Sequence, residues 1–286
     1  MKSVLPVLTI VGAIFAIWYG AAVWLNAPWA HDVAARADRV LSLPELVADT
    51  WAQDKPKLPA PHQVAVELWD TVVGKSITSK RSLVYHAWIT LSASLLGFVM
   101  GTVLGFALAL GIVYNRVMDM SVMPWVIASQ TIPILAIAPM IIVVLNAVGL
   151  SGLLPKAMIS MYLSFFPIVV GMVKGLRSPD GMQLDQMRTW NGSRMQEFFK
   201  LRLPSSMPYL FTSMKIAMAA SLVGAIVGEL PTGAVAGLGA RLLAGSYYGQ
   251  TIQIWSALIM AAALAAAAVA LIGLMQRVVL KRMGLS

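Results

Sequence analysis

Long runs without a charged residue decide what this chain can become. Ser3 to Ala30 holds no Lys, Arg, Asp or Glu, and neither do Ser82 to Asn115, Met120 to Pro155 or Ala157 to Val173. A helix needs about 20 apolar residues to cross a bilayer. Backbone polar groups in lipid must find partners within their own segment, so each such run is expected to be helical. The expected spans are Val4–Leu25, Tyr85–Val113, Val122–Val148, Ala157–Val173, Tyr209–Leu230 with Lys215 near one end, and Thr251–Gln276. The chain is 59% hydrophobic and 12% charged, against roughly 25% charged in a soluble domain. The fold class is therefore an all-α membrane protein of about six transmembrane helices. Residues 1–30 form the first helix, 31–81 a periplasmic or interfacial amphipathic segment, and 82–286 a core of five spans.

Several functions are excluded on the same grounds. Cysteine is absent, which removes disulfides and Cys-based nucleophiles or metal sites. The net charge of +9 does not indicate nucleic acid, because the basic residues flank apolar runs and form no extended tract. His31, His62 and His86 share no ligand spacing, and Met118, Met120 and Met123 read as packing residues, so no metal is expected. A membrane-embedded enzyme would need paired acids or a His–acid set within the spans. Glu229 is the one acid there, so no catalytic residue is assigned.

The first span reads as a retained helix rather than a cleaved signal, since its apolar run exceeds the usual 7–15 residues. Trp18, Tyr19, Trp24 and Trp29 suggest an interfacial aromatic belt. Six spans place both termini on one side. Putting that side in the cytoplasm gives it 12 of the 21 basic residues, Lys2 and Arg282 among them. The 31–81 segment is expected to form two helices. One carries Val33, Val40, Leu43, Leu46 and Val47, the other a stripe of Val64, Leu68 and Val72, and KPKLPAP (Lys55 to Pro61) separates them. They either lie on the membrane surface or form a docking platform.

One charged island interrupts the apolar pattern, Asp185 to Pro208, DQMRTWNGSRMQEFFKLRLPSSMP. A helix exit at Lys174–Gly181 precedes it. A helical run from Leu184 sets Trp190, Phe198 and Leu201 on one side; Leu203-Pro204 is expected to stop it, and Pro208 to open the next span. Periodicity alone leaves open a bare amphipathic loop or a structured cytoplasmic hairpin. Within the spans, Gln130, Thr131, Asn146, Ser160, Ser164, Ser221 and Glu229 are candidates for a solute path, because polar groups in lipid are expensive and often functional. For Ser and Thr the alternative is an ordinary helix-packing hydrogen bond, and for Glu229 it is an interfacial acid at a helix end. Gln130 is the best placed, since Pro133 frees the carbonyl of Ser129 and broken helices often line cavities.

The island also resembles the coupling motif of type I ABC importer permeases, in the nitrate, sulfonate and taurine family. It shares an acid, Arg-Thr, an aromatic, Gly, Ser-Arg, and later Gln, Phe, Lys and Leu-Pro. Asp185-Gln186-Met187 stands where the family has Glu-Ala-Ala, and Asn191 where it has Gly, with Gly192 next. Asn tolerates a left-handed turn. Leu58-Pro59-Ala60-Pro61-His62-Gln63-Val64, Ser129-Gln130-Thr131-Ile132-Pro133 with Ala138-Pro139, Phe165-Phe166-Pro167 and Gly228-Glu229 are also similar to family signatures. The resemblance implies a type I permease fold with a cytoplasmic coupling helix between spans four and five, in a bacterial cytoplasmic (inner) membrane. Asp185, Arg188, Trp190, Asn191, Gly192, Ser193, Arg194, Phe198, Lys200 and Pro204 would then engage an ATPase. Gln130, Thr131, Pro133, Asn146, Ser164, Ser221 and Glu229 would line the path. The implied partners are two ATPase subunits that hold ATP and Mg, a second permease subunit (the same chain or a different one) and a periplasmic or lipid-anchored solute-binding protein. This chain has no GxxxxGK[ST] loop and is expected to bind no cofactor itself. The forms around Asp185 and Gln130 lean towards importers of thiamine pyrimidine precursors and riboflavin, with a small anion such as a sulfonate, taurine or nitrate as the alternative. A carrier or channel independent of ATP is the reading of another class. It would need no docking hairpin, and inverted repeats, which would support it, are not evident.

Overall fold

The computed structural model describes residues 4–231 and 234–284, so Lys2, counted above on the cytoplasmic side, lies outside the described residues. Every regular element among them is helical. The chain divides into two compact units, one of residues 1–87 and 240–261 and the other of 88–239 and 262–286.

The first unit opens with α1 (Val4–Arg36), which runs past the expected end at Leu25. His31–Arg36 completes α1 instead of starting a separate helix. A turn with Asp38 at φ 51 follows, and α2 (Leu43–Ala52) begins beyond it. The expected Val33-to-Val47 stripe is thus split over two helices and a loop. Val40 is 97% exposed, and only Leu46 and Val47 are half-buried. Ser42 caps α2: its backbone N–H and its hydroxyl both donate to Glu45. Those donors hold the Glu45 carboxyl below its ordinary value. Then α3 (Pro61–Trp69) begins on a proline, whose missing N–H costs nothing in a first turn. Its stripe appears as expected, with Val64 buried and Leu68 and Val72 half-buried.

Asn26 organises this unit from within α1. Its fully buried side chain accepts from the backbone N–H groups of Lys57 and Leu58 and donates to the carbonyls of Thr50 and Leu58. The proline-rich loop between α2 and α3 is thereby fastened to α1. Two members of the expected aromatic belt serve the same purpose. Trp18 donates to the Pro59 carbonyl and packs on Trp255 at 4.9 Å, while Tyr19 packs on Trp51 at 5.0 Å. Trp24 and Trp29 remain exposed, as a belt requires.

The second unit is built from α4 (Leu83–Tyr114), α5 (Arg116–Ser129), α6 (Ile134–Ala147), α7 (Leu153–Leu176), α8 (Gly181–Thr189), α9 (Arg194–Glu197) and α10 (Leu203–Glu229). The chain continues through α11 (Leu238–Tyr248) and α12 (Thr251–Arg282). Small residues set its packing. A Cβ on Gly97 of α4 would lie 2.3 Å from Ser160 Cβ and 2.6 Å from the Ala157 carbonyl of α7. Gly175 of α7 is similarly closed by Ser206 of α10. In lipid, where apolar surface gives no drive to associate, such close backbone approach is what holds helices together. Phe98, Ile112, Phe165, Ile168, Met172, Phe211 and Met218 fill the space that remains.

The expected third span is not one straight helix. Its halves, α5 and α6, meet at 101° across Gln130–Pro133. Pro133 is the cause, since it lacks the N–H that would continue the helix and its ring disfavours helical geometry before it. The Ser129 carbonyl freed there accepts a hydrogen bond from the Tyr162 hydroxyl of α7. Among the described residues five further helices are long and apolar enough to cross, giving up to six spans when the bent pair is counted as one. The pair does traverse its unit. Asp119 near the start of α5 pairs with Arg177 beyond the C-terminus of α7 at 2.8 Å, whereas Asn146 at the end of α6 shares a cavity with Lys156 at the N-terminus of α7.

Candidate functional site

The hairpin between α7 and α10 is assembled almost wholly from local hydrogen bonds. Asp180 caps α8: its carboxylate accepts from the Gln183 N–H at 2.8 Å, and the Gln183 side chain accepts from the Asp180 N–H. Ser193 and Gln196 repeat the arrangement at the start of α9. Such reciprocal boxes satisfy donors that a helix start leaves without partners. Both were legible as Asp-x-x-Gln and Ser-x-x-Gln.

Between the boxes lies a tight turn. Asn191 adopts φ 51, the left-handed conformation its residue type allows. Gly192 then returns its N–H to the Met187 carbonyl at 2.9 Å, where a Cβ would come within 2.9 Å of that oxygen. The turn presents Trp190 to solvent at 69% exposure. Met187, Trp190, Gly192, Gln196, Lys200 and Leu201 border a cleft of about 450 Å³. Asp185 and Arg188 form an ion pair at 3.0 Å on the outer face of α8, both more than two-thirds exposed. Arg194 is also exposed.

Two expectations for this segment are corrected. Phe198 is not an outward anchor: it is half-buried, packs against the core, and lies 6.2 Å from the Tyr114 ring. The other large apolar side chains that this segment exposes are Met182, Met195 and Phe199. Nor does Leu203-Pro204 stop the helix. From Arg194 to Glu229 the backbone stays helical, with a π-helical turn over Phe198–Arg202 closed by the Leu203 N–H on the Phe198 carbonyl. This wider turn takes up the register where Pro204 cannot donate, so Pro204 and Pro208 sit inside one long helix. Arg202, absent from the sequence-based candidates, donates to Glu197 at 2.5 Å and to the Leu176 carbonyl at 2.9 Å, tying the returning strand of the hairpin to α7.

The structure scatters the path candidates. Gln130, Thr131 and Pro133 form the bend between α5 and α6. Ser164 and Ser221 are fully buried; their hydroxyls donate to the carbonyls of Gly97 and Ser94 on α4, so they are helix-packing groups and not lining groups. Ser160 is likewise buried, beneath Gly97 and Gly224. Asn146 borders a cavity of about 640 Å³ together with Ser92, Ser151, Gly152 and Lys156. Glu229 is not an interfacial acid, for it has no exposure at all. It accepts from the Thr90 hydroxyl at 2.9 Å and the Gly239 N–H at 2.7 Å, and Lys156 stands 4.0 Å away. Thr90 in turn accepts from the Leu238 N–H at 2.8 Å. A clasp results, joining the end of α10 to α4 and to the start of α11. Lys156, Thr90 and Tyr162 were not singled out from the sequence. Lys156 did leave a signal, as the lone charge between two apolar runs. Among the described residues no group of three His, Asp or Glu side chains could hold a metal ion.

A polytopic helical subunit that offers one capped, solvent-facing hairpin is the class these features define. Over residues 101–285 the sequence matches the family described as binding-protein-dependent transport system inner membrane component, and the chain belongs to that family. It is 32% identical over 183 residues to the formylaminopyrimidine transport permease protein ThiX of Halalkalibacterium halodurans, covering 64% of this chain and 68% of the relative. It is 30% identical over 224 residues to the riboflavin transport system permease protein RibX of Chloroflexus aurantiacus, covering 78% and 80%. The putative aliphatic sulfonates transport permease protein SsuC of Bacillus subtilis is 23% identical over 72% of this chain and 73% of its own. The chain is therefore a multi-pass inner-membrane permease of an ABC importer, a family that works with an ATPase and a solute-binding protein.

Proposed function

We propose that this permease converts ATP binding and hydrolysis by its partner ATPases into alternating access, and that the hairpin at 181–202 is the part the ATPases grip. The single observation that carries this reading is the exposed Trp190 on a turn made rigid from both sides by capping boxes. A tryptophan held outward without a covering partner in its own chain suits a hot-spot anchor. Asp185, Arg188, Asn191, Gly192, Ser193, Arg194 and Lys200 would set its register, and Pro204 would begin the helix that carries the motion. Phe198 and Arg202 transmit that motion, because they fasten the hairpin to the body. ATP and Mg belong to the ATPase subunits, this chain being non-catalytic. A second permease subunit, the same or different, completes the path, and the solute-binding protein is periplasmic or lipid-anchored.

Movement would divide between a stiff part and a hinge. The α4–α7–α10 seam leaves no room for internal shear, whereas the Gln130–Pro133 bend is a place where helices reorient. With the bent pair counted as one crossing there are six, and both termini lie with the hairpin in the cytoplasm. The substrate we infer is a small heterocycle such as a thiamine pyrimidine precursor or a riboflavin-like compound. This is supported by the two relatives at 30% identity or more with such substrates in their names. A small anion is the second reading, favoured by the sulfonate-named relative. Uptake into proteoliposomes holding the complete transporter tests both. Transport of formylaminopyrimidine or riboflavin that requires ATP supports the first. ATP-dependent transport of a sulfonate or nitrate alone replaces it with the second, and transport without ATP contradicts the coupling itself.

A further inference from the structure

The first unit carries a charged cavity that coupling does not use, walled by the end of α3, the loop before α4, α11 and the start of α12. Its volume is about 330 Å³, and only polar residues line it. Glu67 and Asp70 supply its acids, and Lys75, Arg81 and Arg241 its cations. Lys75 and Asp70 neutralise each other at 3.0 Å. Arg81, Arg241 and Glu67 remain, and among the described residues none of the three stands within ion-pair distance of an opposite charge. The Arg241 Nε is buried and has no hydrogen-bond partner. Burial pulls this guanidinium below its ordinary value, and Glu67 acts against the shift without cancelling it. A buried cation whose donors go unused is costly, so the cavity is built for something that the chain itself does not supply. Gln250 and Gln253 add neutral donors and acceptors to its lining.

The helix beside the cavity points to what fills it. A π-helical turn, Asp70–Gly74, extends α3. Val64 and Thr71 are buried on the inner side of this stretch. Val66, Trp69 and Val73, spaced by three and four residues, form a second stripe that is at least 59% exposed. A helix with one side on the fold and an outward apolar stripe that includes Trp lies in the bilayer interface. The cavity is at the same depth, because Arg81 stands two residues before α4 and Gln250 one residue before α12, and both helices are spans. Glu67 and Asp70 directly follow Val66 and Trp69, so the charged lining adjoins the apolar stripe.

We propose that this cavity holds the headgroup of a zwitterionic phospholipid with a primary ammonium, of the phosphatidylethanolamine type. Arg81 and Arg241 donate to its phosphodiester, for which guanidinium forks are well matched. Glu67 accepts from its ammonium, and the acyl chains lie along Val66, Trp69 and Val73. A choline headgroup has no N–H to donate to Glu67, and a glycerol headgroup brings no positive charge. The site is independent of the imported solute and of the ATPase.

The permease, with whatever subunits co-purify, is placed in nanodiscs of phosphatidylcholine alone, or of phosphatidylcholine with an equal part of phosphatidylethanolamine or phosphatidylglycerol. Thermal unfolding is followed in each. The midpoint is expected to be higher by about 3 °C or more with phosphatidylethanolamine than in the other two. Soluble O-phosphoethanolamine added to the phosphatidylcholine discs should not reproduce the rise; if it does, the ligand is a free small molecule and the lipid assignment fails. Arg81→Gln, at an exposed side chain, and Arg241→Gln should each abolish the rise. Glu67→Gln should bring phosphatidylethanolamine down to the level of phosphatidylglycerol. Lys80→Gln removes a neighbouring exposed cation that does not line the cavity and should retain the rise. No difference among the lipids, or a rise that survives Arg81→Gln or Glu67→Gln, overturns the proposal. If those variants leave the lipid preference intact and weaken capture of the solute-binding protein instead, the cavity is a protein contact and the lipid assignment falls.

Discussion

At one end of the α7–α10 pair the chain turns through an exposed hairpin held mostly by hydrogen bonds spanning three to five residues; at the other it closes on a carboxylate with no exposure, in a clasp that joins residues up to 148 positions apart. The first end is locally determined and solvent-facing, so its side chains are free to serve a partner. The second is globally determined and sealed, so its side chains are committed to the fold. The coupling proposed above uses this asymmetry: an accessible end for the ATPase and a body that does not come apart.

The largest break in the comparison should come from the sealed end. Glu229→Ala leaves Lys156 buried beside no carboxylate, and losing one partner of a buried pair costs about 3–5 kcal/mol. The yield and thermal midpoint of purified permease should fall sharply. Trp190→Ala acts at the other end and should do the opposite, leaving the midpoint unchanged while weakening ATPase association by about 2 kcal/mol, roughly 30-fold, in a titration of the two subunits. Next comes Gly97→Ala, whose Cβ meets a backbone carbonyl that cannot rotate away. Overpacking of this kind costs about 1–3 kcal/mol and should lower the midpoint without changing ATPase affinity. Ser193→Ala removes one cap of the hairpin for about 1 kcal/mol, seen as faster amide exchange in α9 with little change in global stability. The smallest effect is expected from Asp185→Asn, because its partner Arg188 is 75% exposed and such surface pairs contribute about 0–1 kcal/mol.

The same asymmetry explains how much of the molecule was legible in the sequence. Features fixed by neighbouring residues were open to reading: the apolar spans, the left-handed Asn191, the break at Pro133 and the stripe of α3. Capping boxes at Asp180 and Ser193 were equally available as patterns. The continuous helix through Pro204 was not, because a π turn replaces the interrupted hydrogen bond with one five residues back, and nothing in FFKLR announces it. Phe198 was misplaced for a related reason. Periodicity sets it on a face of a helix, but only the fold brings Tyr114 to that face. The clasp lay furthest out of reach. Thr90, Lys156, Glu229 and Gly239 fall on separate elements, and a lone acid or lysine in an apolar run does not name its partner. Asn26 follows the same rule, since its partners lie 24 to 32 positions away.

The chain has no cysteine of its own, so a single introduced thiol reports on one place. Trp190→Cys and Ser151→Cys put that thiol at the hairpin and at the sealed end respectively. Each would be treated with a short bifunctional thiol–amine reagent in membranes that contain the assembled transporter. The expected result is a covalent adduct between the ATPase subunit and the Trp190→Cys chain, and none with the Ser151→Cys chain. An ATPase adduct at Ser151→Cys, or none at Trp190→Cys, would contradict the assignment of the hairpin as the coupling element.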